Sequence, residues 1–201
     1  TFVYECNGSF STHSIWHRVQ DGKVRERLMQ LDGTAQEVIR SDGRTECVTG
    51  KQASGLGDVT AVAARQFDVQ KFNDLYAVAI EGNSRVAGRP VVVISFAPRD
   101  QHRYGFELYL DRETGLPLKS LLLNDKGQLL ERYQFTTFAT TPPVDSQLTP
   151  AGQCRAVAPA DKGAGQVNSV QAWHSDWLPS GFEQVSSTVR RDPRTKNPKE
   201  S

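Results

Sequence analysis

The sequence is sparing with cysteine, methionine and net charge, and it has no long apolar run. Its three cysteines, Cys6, Cys47 and Cys154, lie far apart and form no C-x-x-C pair, so the signatures of thioredoxin-type chemistry and of paired zinc ligands are missing. Small buried hydrophobes are the plain reading of these residues. One disulfide with a leftover thiol is the other, and an odd count does not choose a compartment. Lys plus Arg number 24 against 23 Asp plus Glu, a formal net charge of +1. That balance excludes the basic footprint of a nucleic-acid-binding domain and leaves neither a polybasic anchor nor an acidic tail. No apolar stretch approaches the ~20 residues that span a bilayer as a helix. At 37% hydrophobic residues the chain is still too rich in aliphatics and aromatics to remain disordered, and it reads as a soluble, folded protein.

Catalytic signatures are missing as well. There is no G-x-S-x-G, no P-loop and no G-x-G-x-x-G, and Gly55-Leu56-Gly57 lacks a third glycine at the required place. His13 and His17 stand four apart, but Ser14 follows the first where a zincin needs Glu. On a strand four residues span roughly 13 Å, too far to share one ion. His102 and His174 have no nucleophile partner near them in sequence, although such partners can be distant. The carboxylates fall mostly at turns and on alternating strand faces, where turn formation and solvation explain them. The expectation is a binding module with no catalytic residues, no metal and no cofactor.

What is present is turn chemistry. Asp-Gly recurs at Asp21-Gly22, Asp32-Gly33 and Asp42-Gly43, a dipeptide that tolerates the positive φ of tight hairpins. Between these turns, residues 11–20, 23–31, 35–40 and 45–49 read as extended. Ile15, His17 and Val19 share one strand face, with Trp16 and Arg18 on the other. Residues 51–74, which hold Gly55, Gly57 and the run 61–65, read as loop with one short helix. Strands resume at 75–81, 89–97, 103–110, 118–124 and 128–138, for about nine in all at short spacing. The fold class expected is mainly β, a strongly curved antiparallel sheet or half-barrel.

Several strands are apolar on both faces, among them Val91 to Ile94 and Leu121 to Leu123. Either both faces are covered or one lines a cavity. Val93, Phe106, Leu108, Leu110 and Leu122 are the candidate cavity residues, and a plain sandwich core is the alternative. Arg99 and Arg103, with His102, cluster at a turn and are candidates for a charged rim that meets phosphate or carboxylate groups. Arg25 and Arg27 belong either to such a rim or to a solvated face.

The organisation expected is a β domain over residues 1–140, a Pro/Ser/Gly/Ala-rich linker over 141–169, and the beginning of a second small domain over 170–201. Trp173, Trp177 and Phe182 in that last segment are candidate partner-contact residues. A strand through Trp173 and a turn at Pro179-Ser180-Gly181 are expected there, since proline disrupts a helix. The opening Thr1-Phe2-Val3-Tyr4-Glu5 reads as mid-strand, so the start is either a processed terminus or a trimmed fragment, and trimming is the preferred expectation.

Several stretches together resemble the MucB/RseB family of periplasmic regulators of the envelope-stress sigma factor, most closely its pseudomonad type. They are Thr1-Phe2-Val3-Tyr4-Glu5, Ile15-Trp16-His17-Arg18, Arg25-Glu26-Arg27-Leu28 with Leu31-Asp32-Gly33, and Ser84-Arg85-Val86-Ala87-Gly88-Arg89-Pro90. The longest begins Pro98-Arg99-Asp100-Gln101-His102-Arg103-Tyr104-Gly105-Phe106-Glu107-Leu108 and runs on through Leu110 to Ser120. Gly127 to Arg132 and Trp173 to Phe182 complete the set. The Asp-x-x-Thr-Gly-Leu-Pro turn alone is unspecific; the combination is not. The resemblance implies a periplasmic protein of two domains. The larger would be a half-open barrel like the lipoprotein carriers LolA and LppX, around an apolar cavity. The smaller would help hold the periplasmic part of a membrane anti-sigma factor and shield it from regulated proteolysis, and a lipid or lipopolysaccharide-type ligand would release that grip. It also implies that the family's signal peptide, N-terminal helix and most of the small domain lie outside this sequence. A homodimer stays open, and a lipid or lipoprotein carrier is the alternative function.

Overall fold

The computed structural model describes residues 1–50, 69–157, 176–182, 189–191 and 198–200. The chain divides into two compact units, Thr1–Ala158 and Pro159–Ser201. The first is built on one open antiparallel sheet. Its strands are β1 (Phe2–Cys6), β2 (Ser9–Gln20), β3 (Lys23–Gln30), β4 (Gln36–Ser41), β5 (Arg44–Thr49), β6 (Tyr76–Val86), β7 (Arg89–Pro98), β8 (Gly105–Asp111), β9 (Pro117–Leu123), β10 (Leu129–Phe135) and β11 (Arg155–Ala156). The order across the sheet is β11-β5-β4-β3-β2-β1-β10-β9-β8-β7-β6. Two meanders therefore run outward and back, and they meet where β1 pairs with β10, Phe2 opposite Phe135. A short helix, α1 (Val69–Leu75), precedes β6.

Turn residues account for much of this path. Asp21-Gly22 and Asp42-Gly43 both adopt positive φ at both positions, the backbone a two-residue hairpin needs to match strand twist. They join β2 to β3 and β4 to β5. Asn7-Gly8 does the same between β1 and β2, and Ala87-Gly88 between β6 and β7. Asp32-Gly33 has another role. Only Gly33 is left-handed, while the Asp32 carboxylate accepts from the Thr12 backbone N–H at 2.7 Å and from Gln30 Nε2 at 3.2 Å, tying the β3–β4 loop to β2. The strand expected to end at Gly82 instead runs on to Val86, because Gly82 sits in a bulge (φ 133°) opposite Val93. A bulge absorbs one extra residue without ending the strand.

Phe2 is the keystone of the join. It is fully buried, with ring centroids 5.1 Å from His13, 4.6 Å from Tyr133 and 5.9 Å from Phe135. Leu28, Val38 and Val48 complete the cluster on the same sheet face. Burial pushes the His13 imidazole below its ordinary pKa. Its Nε2 lies 2.8 Å from Ser11 Oγ, and His17, on the same strand, pairs its Nδ1 with Glu26 at 2.9 Å. A second cluster, Val86, Val91 and Leu118 with Phe135 and Phe138 against it, closes one end of the sheet.

That end is fastened by the turn Asp111-x-x-Thr114-Gly115. Arg89 donates to both Asp111 oxygens, from Nε at 2.7 Å and Nη2 at 2.9 Å. Thr114 adds its backbone N–H at 3.0 Å and its hydroxyl at 2.8 Å. The Arg89 guanidinium, with these Thr114 donors, holds the Asp111 carboxyl well below its usual range. A depressed carboxylate pKa stabilises the fold at pH above the unfolded value of 3.8, and that contribution is lost as pH falls through the folded value. Thermal melts from pH 7 down to pH 2 check this. The Asp111→Asn variant is expected to melt lower than wild type at pH 7 and to show a flatter decline below about pH 4.

Of the expected linker 141–169, residues 141–157 form a strap bound to the sheet, and 158–169 lie outside the described residues. A 3-10 turn at Asp145–Gln147 leads into Leu148, which is 1% exposed. Cys154 forms a disulfide with Cys47, and β11 adds to β5. Polar composition resembles that of a linker, but one leucine, one half-cystine and a two-residue strand are enough to dock the segment. In the second unit, β12 (Val189–Arg191) pairs antiparallel with β13 (Pro198–Glu200). The turn expected at 179–181 is present, with the Phe182 N–H donating to the Pro179 carbonyl at 3.0 Å and Gly181 at φ 78°.

Candidate functional site

Strand alternation sorts the candidate residues onto two faces. Phe106, Leu108 and Leu110 project from one face of β8, and Leu122 of β9 lies opposite Phe106 on that face. Phe96 and Ile94 of β7 pair with Phe106 and Leu108 and extend the same surface. Val93 does not join them. It pairs with Tyr109 and points to the opposite face, where the Lys119 ammonium sits 4.3 Å from the Tyr109 ring centroid. The run Val91 to Ile94 alternates between faces like any strand, and its uniform composition hides which valine goes where.

Helix α1 lies on the face that carries Phe106. The Phe72 ring meets those of Tyr76, Phe96 and Phe106 at centroid distances of 5.6, 6.1 and 6.2 Å. Phe96 and Phe106 stack at 4.2 Å, and Tyr76 meets Phe106 edge-on at 5.3 Å. These aromatic pairs each contribute about 0.5–1.5 kcal/mol beyond area burial. The rest of the face is only half covered. Phe106, Leu108, Leu110 and Leu122 are each half-buried. Toward the β6 edge Val78 and Ile80 are exposed, Ile80 at 74%. The result is an apolar wall with an aromatic plug at one end. Phe72 and Tyr76 are not among the sequence candidates; one lies on α1 and the other opens β6, so no single periodicity pairs them.

The two expected rim arginines hold this plug in place. Arg99 donates its backbone N–H to the Leu75 carbonyl at 2.9 Å and its Nε to the Asn73 carbonyl at 3.1 Å. Both carbonyls belong to the last turn of α1, where a cation and N–H donors are favourable. Arg103 makes an ion pair with Asp100, whose other oxygen accepts the His102 N–H at 2.9 Å. Both guanidiniums take part in building the β7–β8 loop around the helix end.

Arg25 is exposed, as on a solvated face, but Arg27 is not. Arg27 is 8% exposed and Glu37 4%, and the two form an ion pair. The Arg27 guanidinium also lies 4.8 Å from the Trp16 ring centroid and donates to the Gln147 carbonyl at 3.3 Å. Glu37 Oε2 accepts from the Ala151 N–H at 3.1 Å. The buried pair is thus the floor on which the strap rests, on the sheet face opposite α1. Of the aromatic candidates in the second unit, Trp177 and Phe182 are exposed, Trp177 at 65%. Trp173 lies outside the described residues.

Comparisons with known proteins place this architecture. Residues 1–152 match the model of the MucB/RseB N-terminal domain. The chain is 57% identical over 200 residues to the sigma factor AlgU regulatory protein MucB of Pseudomonas aeruginosa, covering 98% of this chain and 62% of that one. It is 27% identical over 186 residues to the sigma-E factor regulatory protein RseB of Escherichia coli, covering 90% of this chain and 58% of the relative. A crystal structure of MucB superposes with TM-score 0.74 at 54% identity, over 95% of this chain and 65% of that one. A complex of P. aeruginosa MucA and MucB superposes with TM-score 0.79 at 54% identity, over 98% and 66%. The chain therefore spans less than two thirds of the length of these relatives. With a matching domain model over three quarters of its length and a relative more than half identical along nearly all of it, the chain belongs to the MucB/RseB family.

Proposed function

We propose that this chain is the sheet-bearing part of a periplasmic regulator of an envelope-stress sigma factor. It acts by binding the periplasmic segment of a membrane anti-sigma factor and shielding it from proteolysis, and a lipid-type ligand on the apolar face triggers release. The observation that carries the reading is the likeness, at 54% identity and along 98% of the chain, to MucB solved together with MucA. The half-covered apolar wall, with α1 as its plug, supports a lipid-type ligand. Trp177 and Phe182, exposed here, suit an aromatic anchor for the partner, since such rings carry much of an interface's energy when desolvated.

The same wall favours one alternative, a lipid or lipoprotein carrier. A pull-down with the full-length protein from detergent-solubilised inner membrane separates the two. Recovery of a single-pass anti-sigma factor is the expected result. Recovery of mature lipoproteins without it overturns the regulator in favour of the carrier.

A further inference from the structure

The strap is held very unevenly along its length. Its front half is anchored by burial and charge. Arg18 donates to the Pro143 carbonyl at 3.2 Å and pairs with Asp145 at 2.6 Å; Leu148 is sunk into the sheet, and Arg27 reaches the Gln147 carbonyl. From Thr149 to Val157 no side chain is buried, and every residue except Pro150 and Cys154 is exposed. Among the described residues, what holds 149–157 is a handful of hydrogen bonds and one covalent link. The Ala151 N–H donates to Glu37, Arg155 and Ala156 pair with Val48 and Cys47, the Val157 N–H donates to the Glu46 carbonyl at 3.0 Å, and Cys154 is bonded to Cys47. Beneath residues 151–153 there is little packing to help. A cleft of about 310 Å³ lies there, walled on the sheet side by Met29, Ala35, Gln36 and Thr49. Exposed hydrogen bonds at a sheet edge, without apolar burial, open locally at little cost. The disulfide is therefore the principal fastener of this segment.

We infer that Cys47–Cys154 is a redox-sensitive latch, and that its reduction by a dithiol protein or small molecule releases residues 149–157 while the sheet stays folded. Both sulfurs belong to half-buried residues at the outer edge of the sheet, where a thiolate can reach them. The step is ordinary exchange. One thiolate of the dithiol attacks Cys154 Sγ, forming a mixed disulfide and expelling Cys47 as a thiolate that takes up a proton. The second thiolate of the dithiol then attacks its own sulfur in the mixed disulfide and expels Cys154. Two electrons pass to this chain, which gains two thiols, and the dithiol leaves as its disulfide. The freed stretch runs directly to Ala158, the border of the first unit. Reduction thus frees about 30 Å of chain at the end of the first unit. The latch stands whatever the partner is.

Arg155 supplies a natural reporter, since trypsin cuts after it only when the surrounding strand has opened. The purified chain is treated with dithiothreitol under native conditions, its accessible thiols are counted with a chromogenic disulfide reagent, and limited trypsin digestion is followed by mass spectrometry. Thiols rise from the one of Cys6 to all three. Cleavage after Arg155 accelerates at least about tenfold while cleavage after Arg27 and Arg132, inside the sheet, does not change. The Cys47→Ala/Cys154→Ala double variant behaves like the reduced chain, and Cys6→Ala like the oxidised one. An unchanged rate after Arg155, once three thiols are counted, overturns the latch. So does acceleration at Arg27 and Arg132 alongside Arg155, which would make the disulfide a fastener of the whole fold. Should the double variant fail to fold, the reduced wild-type chain decides alone.

Discussion

Replacing Glu37 by Ala is expected to lower the free energy of unfolding by about 3–5 kcal/mol, the cost of leaving a buried guanidinium without its counter-ion. Arg27 and Glu37 are both nearly inaccessible, so solvent cannot take over the role of the missing carboxylate. The loss reaches the strap too, because Glu37 Oε2 is the acceptor for the Ala151 N–H. Urea denaturation measures the effect. The companion variant Arg27→Met/Glu37→Leu removes both charges at similar volume and should recover most of the loss, since an apolar pair of the same shape often replaces a buried ion pair at no net cost. A Glu37→Ala loss below about 1 kcal/mol would mean that water reaches the pair.

Phe106→Asp is the second large effect. The substitution removes a ring stacked at 4.2 Å on Phe96 and in contact with Phe72 and Tyr76, and it places a carboxylate under helix α1. Loss of the ring and partial burial of an unpaired charge together are expected to cost about 3 kcal/mol. The helix should loosen before the sheet does, so amide exchange in α1 and β6 rises more than in β2 and β3. Uptake of a fluorescent fatty acid tests the proposed ligand face in the same protein and should fall. Unchanged stability with unchanged uptake would contradict both the packing and the ligand reading of Phe106.

The parts of the fold that were legible in the sequence are those set by neighbours along the chain. Asp21-Gly22 and Asp42-Gly43 mark hairpins because positive φ at both positions selects those residues. Phe106, Leu108 and Leu110 read correctly as one face because they alternate with Glu107 and Tyr109. Ala87-Gly88 was invisible, since alanine at φ 48° carries no turn signal of its own. Val93 is buried but does not share the face of Phe106, and the run Val91 to Ile94 has no polar residues to set its phase. The Arg27–Glu37 pair and the strap above it depend on register across β3 and β4 and on chain more than 100 residues away. No local pattern encodes such contacts, and the polar, proline-containing composition of 141–157 argued for the opposite.

The position of β1 bears on how the fold can be reached. Its two neighbours are β2, the next strand in the chain, and β10, the last strand of the second meander. Until residues 129–135 have emerged from a ribosome or translocation channel, the β1 edge facing β10 has no native neighbour, and Phe2 lacks the Tyr133 and Phe135 rings that enclose it. Joining strands so far apart in sequence slows folding, because loop entropy must be lost before the contacts form. An unpaired strand edge meanwhile invites pairing with other chains. The step that joins the two meanders therefore waits on most of the first unit, and the nascent chain is most exposed to aggregation in the interval between synthesis of β2 and arrival of β10.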